Sequence, residues 1–321
     1  MKYLPFYVGN RPMACWGEDL RSENLRFLRT VDGAYYEHVA EAHAPYLDGS
    51  SRLEAAAAIR IAYSQGLETL FALLLAGMQA PLCVAGWMQN YRTVELKRLV
   101  RDVSSGTPPW VRHQFLPLTW ESAAGHFLGL ADWEGDGNDW IPPGFGRLWA
   151  NFASDFVDED ATLEYNAMKH GSRPRLGGFE LLMGIQEGPG IPAPIEDAVS
   201  MGGSEFGSSY YKQEYVGRQK LHFTLGHSSR NWSPVNLGHG LLLIAYSIQN
   251  VASFLRLANG DESAGCDFSA PLDVDSFDLP WTDPVGAQKL TFSRRPDFRS
   301  ENLPSKIELV SQIEEDHSPS S

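Results

Sequence analysis

No proline interrupts the chain from Arg52 to Gln79, and Ile59, Tyr63, Leu67, Leu70, Leu74 and Met78 recur there at steps of three and four. That is the period of a helix that buries one face. So long an apolar helix has to be covered by other helices or by a membrane. Leu70 to Met88 carries no charge and meets the length of a spanning segment. Gln79 and Pro81 fall in its middle, however, and proline removes a backbone donor and clashes with the preceding turn. The expectation is therefore two soluble helices meeting at Ala80-Pro81, and no membrane partner.

The rest of the chain follows the same pattern up to about residue 170. Residues 18–44, 85–102, 121–130 and 145–170 read as helices, separated by Pro45, by Ser104-Ser105-Gly106-Thr107-Pro108-Pro109 and by a Trp-, Gly- and Pro-rich loop over 132–146. Beyond Leu176-Gly177-Gly178 the period changes. Leu221, Phe223 and Leu225 alternate with Lys220, His222 and Thr224, as in a half-buried strand, and Ser208 to Tyr215 reads likewise. Ser233-Pro234 then opens a last long helix with an N-cap and a first-turn proline, seamed by Leu241, Ile244, Ile248, Val251 and Leu255 and stopped at Asn259-Gly260. The Ser, Glu and Pro content after Pro304 predicts disorder. The expected fold is mainly α: a helical bundle with a small antiparallel β insertion and a disordered C-terminal tail. Residues 1–260 form one helical domain with the insertion at about 176–229, and 261–321 an irregular acidic segment.

Charge and cysteines narrow the function. A net charge of −14 argues against a broad phosphate-tracking surface. Cys15, Cys83 and Cys266 are odd in number and widely spaced, which offers neither a disulfide framework nor metal-ligand spacing and fits a reducing cytoplasm. The N-terminus lacks the continuous apolar core of a signal peptide. There is no GxSxG elbow, Walker loop, HExxH or strand-linked GxGxxG, which disfavours the familiar hydrolase, NTPase, zincin and dinucleotide chemistries. Asp132 to Asp139 places oxygen ligands as an EF-hand loop does, but its twelfth position is Pro143 where a Glu is needed, so a solvated turn is expected.

Two polar groupings remain. Arg60, Ser64 and Glu68, four apart, form a stripe along the long helix. It is either a solvated face or a set of polar groups aimed at a second helix. Tyr165-Asn166-Ala167-Met168-Lys169-His170-Gly171 ends the helix over 145–170, with Leu163, Ala167 and His170 on one face. His170 there is either an acid or base near neutrality, oriented by Asn166, or an ordinary helix terminus in which Lys169 and His170 complement the dipole.

A helical domain with an internal polar helix and a later Asn/Lys/His terminus resembles the HEPN superfamily, whose members are helical bundles and often ribonucleases of toxin and phage-defence systems. The resemblance covers residues 52–173 and the helix from Pro234, about half the chain. In that family an Arg, usually followed by a polar residue such as Asn, stands four to six residues before a His. Here Asn166 and His170 are present, no Arg holds the expected place, and Lys169 and Arg173 are the nearby cations. The resemblance implies a metal-free endoribonuclease or RNA-binding protein needing no cofactor. His170, Asn166, Lys169 and Glu68 would be its catalytic group, and Arg60, Ser64 and Arg173 would bind substrate. The expected partners are RNA and, as a further option, a second copy of the chain in a homodimer.

The other class the sequence allows is a non-catalytic helical scaffold whose β insertion binds a partner. Gln219 to Trp232 mixes cations with aromatics. Such a segment either stacks single-stranded bases or forms an edge strand protected by lysine.

Overall fold

The computed structural model describes residues 2–106, 119–131, 133, 138–170, 173–186, 188–216, 220–262, 265–293 and 303–316. The chain is 54% helix and 18% strand, the strands lying in small antiparallel sheets. It divides into a helical unit, Met1–Lys169 with Ser233–Pro284, and a β unit, His170–Trp232 with Val285–Ser321.

The helical unit opens with a hairpin, β1 (Lys2–Val8) and β2 (Arg11–Gly17), joined at Gly9-Asn10 with Gly9 at φ +61°. Its tip is tied to the end of the long helix α3 (Arg52–Gln79). Gln79 Oε1 accepts from the Gly9 N–H at 2.9 Å and from Trp87 Nε1 at 2.9 Å, while its amide donates to the Gly9 carbonyl. Every side chain of α3 from Leu70 to Met78 is buried. Its main companion is α9 (Pro234–Ala258), capped by Ser233, whose Oγ accepts from the Asn236 N–H. These two helices are long and apolar enough to cross a membrane, but the apolar windows are 72% and 67% buried within the protein. Gly240 sets how closely they approach, since a Cβ there would lie 2.6 Å from the Tyr63 ring.

Several expected helices are broken, each for a local reason. The 18–44 segment is two helices, α1 (Leu20–Leu28) and α2 (Ala34–His43). Asp32 accepts from the Ala34 N–H, and Gly33 comes so near α9 that a Cβ would lie 2.5 Å from the Ala245 carbonyl oxygen. The next segment divides into α4 (Val84–Met88) and α5 (Thr93–Ser104). After α6 (Trp120–Leu128), the helix expected over 145–170 is α7 (Ile141–Val157) and α8 (Glu159–Lys169). Asp158 leaves the helical region at ψ 123° and accepts from the Asp160 N–H. At its other end, Pro142 and Pro143 fit the first turn of α7, where their missing N–H groups have no intrahelical partner to lose, so part of the predicted loop is helical.

Where α3 stops at Ala80-Pro81, the freed Pro81 carbonyl accepts from Asn259 Nδ2 at 2.9 Å and Asn24 Nδ2 at 3.3 Å, and Asn24 also donates to Asn259 Oδ1 at 3.0 Å. Asp261 follows, gripped by Arg256 Nε at 2.7 Å and by Arg29. The Arg29 and Arg256 guanidiniums hold its carboxyl well below the usual carboxylate range. A depressed folded-state pKa contributes stability that is present above the unfolded value near 4 and is lost as pH falls below it. We therefore expect Asp261→Asn to unfold at lower urea than wild type at pH 7. The gap should narrow steadily between about pH 4 and pH 2, and a gap unchanged with pH would contradict the assignment.

The β unit pairs β3 (Arg175–Leu176), β6 (Gly207–Val216), β7 (His222–Asn231) and β8 (Lys289–Phe292) antiparallel in that order, and β4 (Glu180–Met183) with β5 (Val199–Gly203) in a second ladder. β8 comes from the segment expected to be irregular, because Leu290 and Phe292 alternate with Lys289 and Thr291 and so suit a strand beside β7. The end expected to be disordered holds α10 (Lys306–Asp316), started by a reciprocal cap. The Ser305 N–H donates to Glu308 Oε2 at 2.6 Å and the Glu308 N–H to Ser305 Oγ at 3.3 Å. Asn231 knits the unit together, its amide serving the Phe179 N–H, the Phe179 carbonyl and the Ala287 carbonyl.

Candidate functional site

The polar stripe of α3 has three different fates. Arg60 turns inward, its Nε and Nη2 donating to one oxygen of Glu164 at 3.1 and 2.8 Å. Arg60 is 7% exposed and Glu164 is fully buried. Next to them Tyr63 donates to Asp155 Oδ2 at 2.6 Å, and burial, with the Asp155 carboxylate beside it, pushes its hydroxyl well above the ordinary tyrosine value. Ser64 bonds back to the Arg60 carbonyl. This end of the stripe thus holds helices together.

Glu68, half-buried like Ser64, stands at the other end of the stripe. Its Oε1 accepts from Thr93 Oγ1 at 3.0 Å and from Tyr91 Oη at 3.4 Å. Tyr36, Tyr91 and Tyr165 all have hydroxyls pushed up by burial and further by the Glu68 charge. Lys169 Nζ lies 5.5 Å from the Tyr165 ring centre, so Glu68, Tyr165 and Lys169 belong to one neighbourhood of the helical unit. The three tyrosines come from α2, α8 and the turn before α5, a convergence with no mark in linear spacing.

α8 buries Glu164 and Met168, whereas Leu163 is 41% exposed. The Leu163, Ala167, His170 stripe is therefore not the packed face: the Arg60 charge draws Glu164 inward and rotates the helix accordingly. Asn166 and Lys169 are exposed on α8, His170 is exposed at the turn that follows it, and Arg173 is exposed in the β unit. Most of the acidic loop 132–139 lies outside the described residues, and among those described no three His, Cys, Asp or Glu side chains gather as a metal site would require. A cavity of about 380 Å³ in the helical unit, lined by Ser104, Trp120, Glu121 and Arg147 among others, contains none of the expected catalytic or substrate-binding residues.

The β unit offers a different kind of surface. Strand alternation and register put Tyr211, Gln213 and Tyr215 of β6 opposite His227, Leu225 and Phe223 of β7, and Phe292 of β8 opposite His227. Tyr211 is 69% exposed, Phe292 63%, and Tyr215 and Phe223 about half. The other face buries Tyr210 and Ser228. Two aromatic groups result: Tyr211 with His227, rings 5.4 Å apart and edge-on, next to Phe292, and, four residues along β6, the Tyr215–Phe223 pair.

Among the described residues of these strands no carboxylate lies on this outer face; Glu214 points to the opposite one with Lys212. Arg175 pairs with Ser209 at one edge, and Lys220 Nζ sits 5.6 Å from the Tyr215 ring centre at the other end. The charge of the chain is also unevenly shared. Eleven Lys and Arg against twelve Asp and Glu fall in the β unit, a formal charge of −1, which leaves −13 of the −14 on the helical unit.

Compared with protein-family models, curated proteins and solved structures, the chain matches none of them.

Proposed function

We propose that this is a cytoplasmic single-stranded RNA-binding protein, in which the outer face of the four-stranded sheet stacks bases and the helical unit, read as a HEPN-like bundle, serves as scaffold. One observation carries the reading: Tyr211, Tyr215, Phe223 and Phe292 stand exposed on one sheet face, with no carboxylate on it among the described strand residues. Exposed rings on a soluble sheet cost hydration unless something covers them. A base has an aromatic face that any of these rings can meet, worth about 1–3 kcal/mol per stacked base. Gln213, exposed between the two aromatic groups, accepts from the Tyr215 hydroxyl at 3.1 Å through Oε1 and presents its amide N–H groups to a base edge. Arg175 and Lys220 at the rim are available to phosphates.

The same reading assigns binding without cleavage. Arg60 is committed to Glu164 in the interior, which removes it from contact with a substrate, and the Ser64 hydroxyl donates to its own helix. Asn166, Lys169 and His170, exposed at the end of α8, have no part in the stacking site. The test is fluorescence anisotropy with a labelled single-stranded RNA of about 12 nucleotides, followed by gel analysis of the same RNA after incubation with chelator. Retention of intact RNA by wild type and by His170→Ala is the expected result. Cutting by wild type that disappears in His170→Ala would replace this reading with the metal-free ribonuclease, and failure to retain any RNA would reject both.

A further inference from the structure

The three cysteines are not equivalent once the chain is folded. In the hairpin register Cys15 pairs with Leu4, Met13 with Phe6 and Arg11 with Val8, which puts Cys15 on the face that buries Phe6 and Val8. That face rests on the start of α4: a Cβ at Gly86 would lie 3.2 Å from Phe6 Cζ and 2.7 Å from Cys83 Sγ. Cys15 shares this face with Phe6, whose ring lies over Gly86 beside Cys83, and the Cys83 thiol feels Cys15 as a neighbouring ionisable group, sixty-eight positions away in sequence. Both are free thiols, Cys83 buried and Cys15 half-buried, whereas Cys266 donates to the Glu262 carbonyl elsewhere.

We propose that Cys15 and Cys83 form a reversible oxidative modification site, in which a low-molecular-weight disulfide such as glutathione disulfide converts the two thiols into a bond that fastens the N-terminal hairpin to the start of α4. The step balances by thiol–disulfide exchange. The Cys15 thiolate, the accessible one, attacks glutathione disulfide and releases one glutathione thiolate, leaving Cys15 joined to the other glutathione. Cys83 then loses its proton and attacks the Cys15 sulfur, expelling the second glutathione. Two electrons pass to the oxidant, which leaves as two glutathione thiols.

The order follows from access. Burial first, and then the neighbouring Cys15, push the Cys83 thiol up to about 11, which makes it the poorer initial nucleophile. Closure needs the thiolate of the buried Cys83, so it accelerates as pH rises from 7 to 9.

Peptide mapping of the full chain tests this directly. The reduced protein is incubated with glutathione disulfide, alkylated with N-ethylmaleimide and digested without reductant. Expected is one cross-linked pair, the Cys15 and Cys83 peptides two hydrogens lighter than their sum, with Cys266 alkylated once the protein is unfolded. Dithiothreitol reverses the link, and Cys266→Ser still forms it. Because the new bond closes a long loop, the oxidised protein should unfold about 5 °C or more above the reduced one, and Cys15→Ser, folded by circular dichroism, should show no such rise. A stable glutathione adduct on Cys15 with Cys83 still free would overturn the proposal, as would cross-links found only between molecules.

Discussion

Glu164→Ala is expected to cost about 3–5 kcal/mol of unfolding free energy, the usual consequence of removing one partner of a sealed ion pair. The Arg60 side chain is only 9% exposed and that of Glu164 not at all, so the variant leaves a guanidinium in the interior without the carboxylate that now takes two of its N–H groups. The loss comes mainly from that stranded charge, because desolvating two ions costs nearly as much as their attraction returns. Arg60→Met combined with Glu164→Met, which replaces the pair by apolar side chains of comparable length, should therefore recover most of the stability. Urea titration at pH 7 reads both effects as shifts of the midpoint at constant slope. A cost below about 1 kcal/mol for Glu164→Ala would mean that water reaches the pair, and Arg60 would again be a candidate for substrate contact.

The helix content of this chain was legible because burial leaves a periodic trace. The α3 and α9 stripes, the cap at Ser233 and the stop at Pro81 can all be read from spacing and from what proline and serine do to backbone hydrogen bonds. Breaks such as Gly33 and Asp158 were less visible, since each depends on a partner or a dihedral that lies outside the local pattern. The N-terminal hairpin did carry a mark, Gly9-Asn10 between two short runs with strand residues, but one that competes with reading the segment for targeting. The inward turn of Glu164 had none: a carboxylate on a short polar helix is normally solvated, and only Arg60, more than a hundred positions away, makes burial affordable. For the same reason the apolar-looking set Leu163, Ala167 and His170 misled about which face of α8 is packed. On the β side, alternation identified the strands, while the ring row across β6, β7 and β8 required the pairing register, and β8 comes from beyond α9.

That register makes the stacking proposal quantitative. Tyr215 and Phe223 are direct cross-strand neighbours, and Tyr211 stands four residues up the same strand, about 13 Å away at the rise of a β-strand. Two stacking stations this far apart should act nearly independently, while the two rings of one station should not. We expect Tyr211→Ala and Phe223→Ala each to weaken single-stranded RNA binding by about 1–3 kcal/mol, roughly five- to 150-fold. Their double variant should lose close to the sum. Tyr215→Ala with Phe223→Ala, by contrast, should lose clearly less than the sum, since the second ring at that station holds little once the first is gone. All four variants change exposed side chains and leave the buried face of Tyr210 and Ser228 untouched, so unfolding midpoints should stay near wild type. Thr224→Ala, on the opposite face beside Glu214, is the matched control and should bind as wild type does. Few cations line the platform, so affinity should fall only gently between 50 and 200 mM salt, about as expected for one or two phosphate contacts. A steep salt dependence together with indifference to Tyr211→Ala and Phe223→Ala would place RNA on charged residues elsewhere, and the sheet face would then need a different occupant.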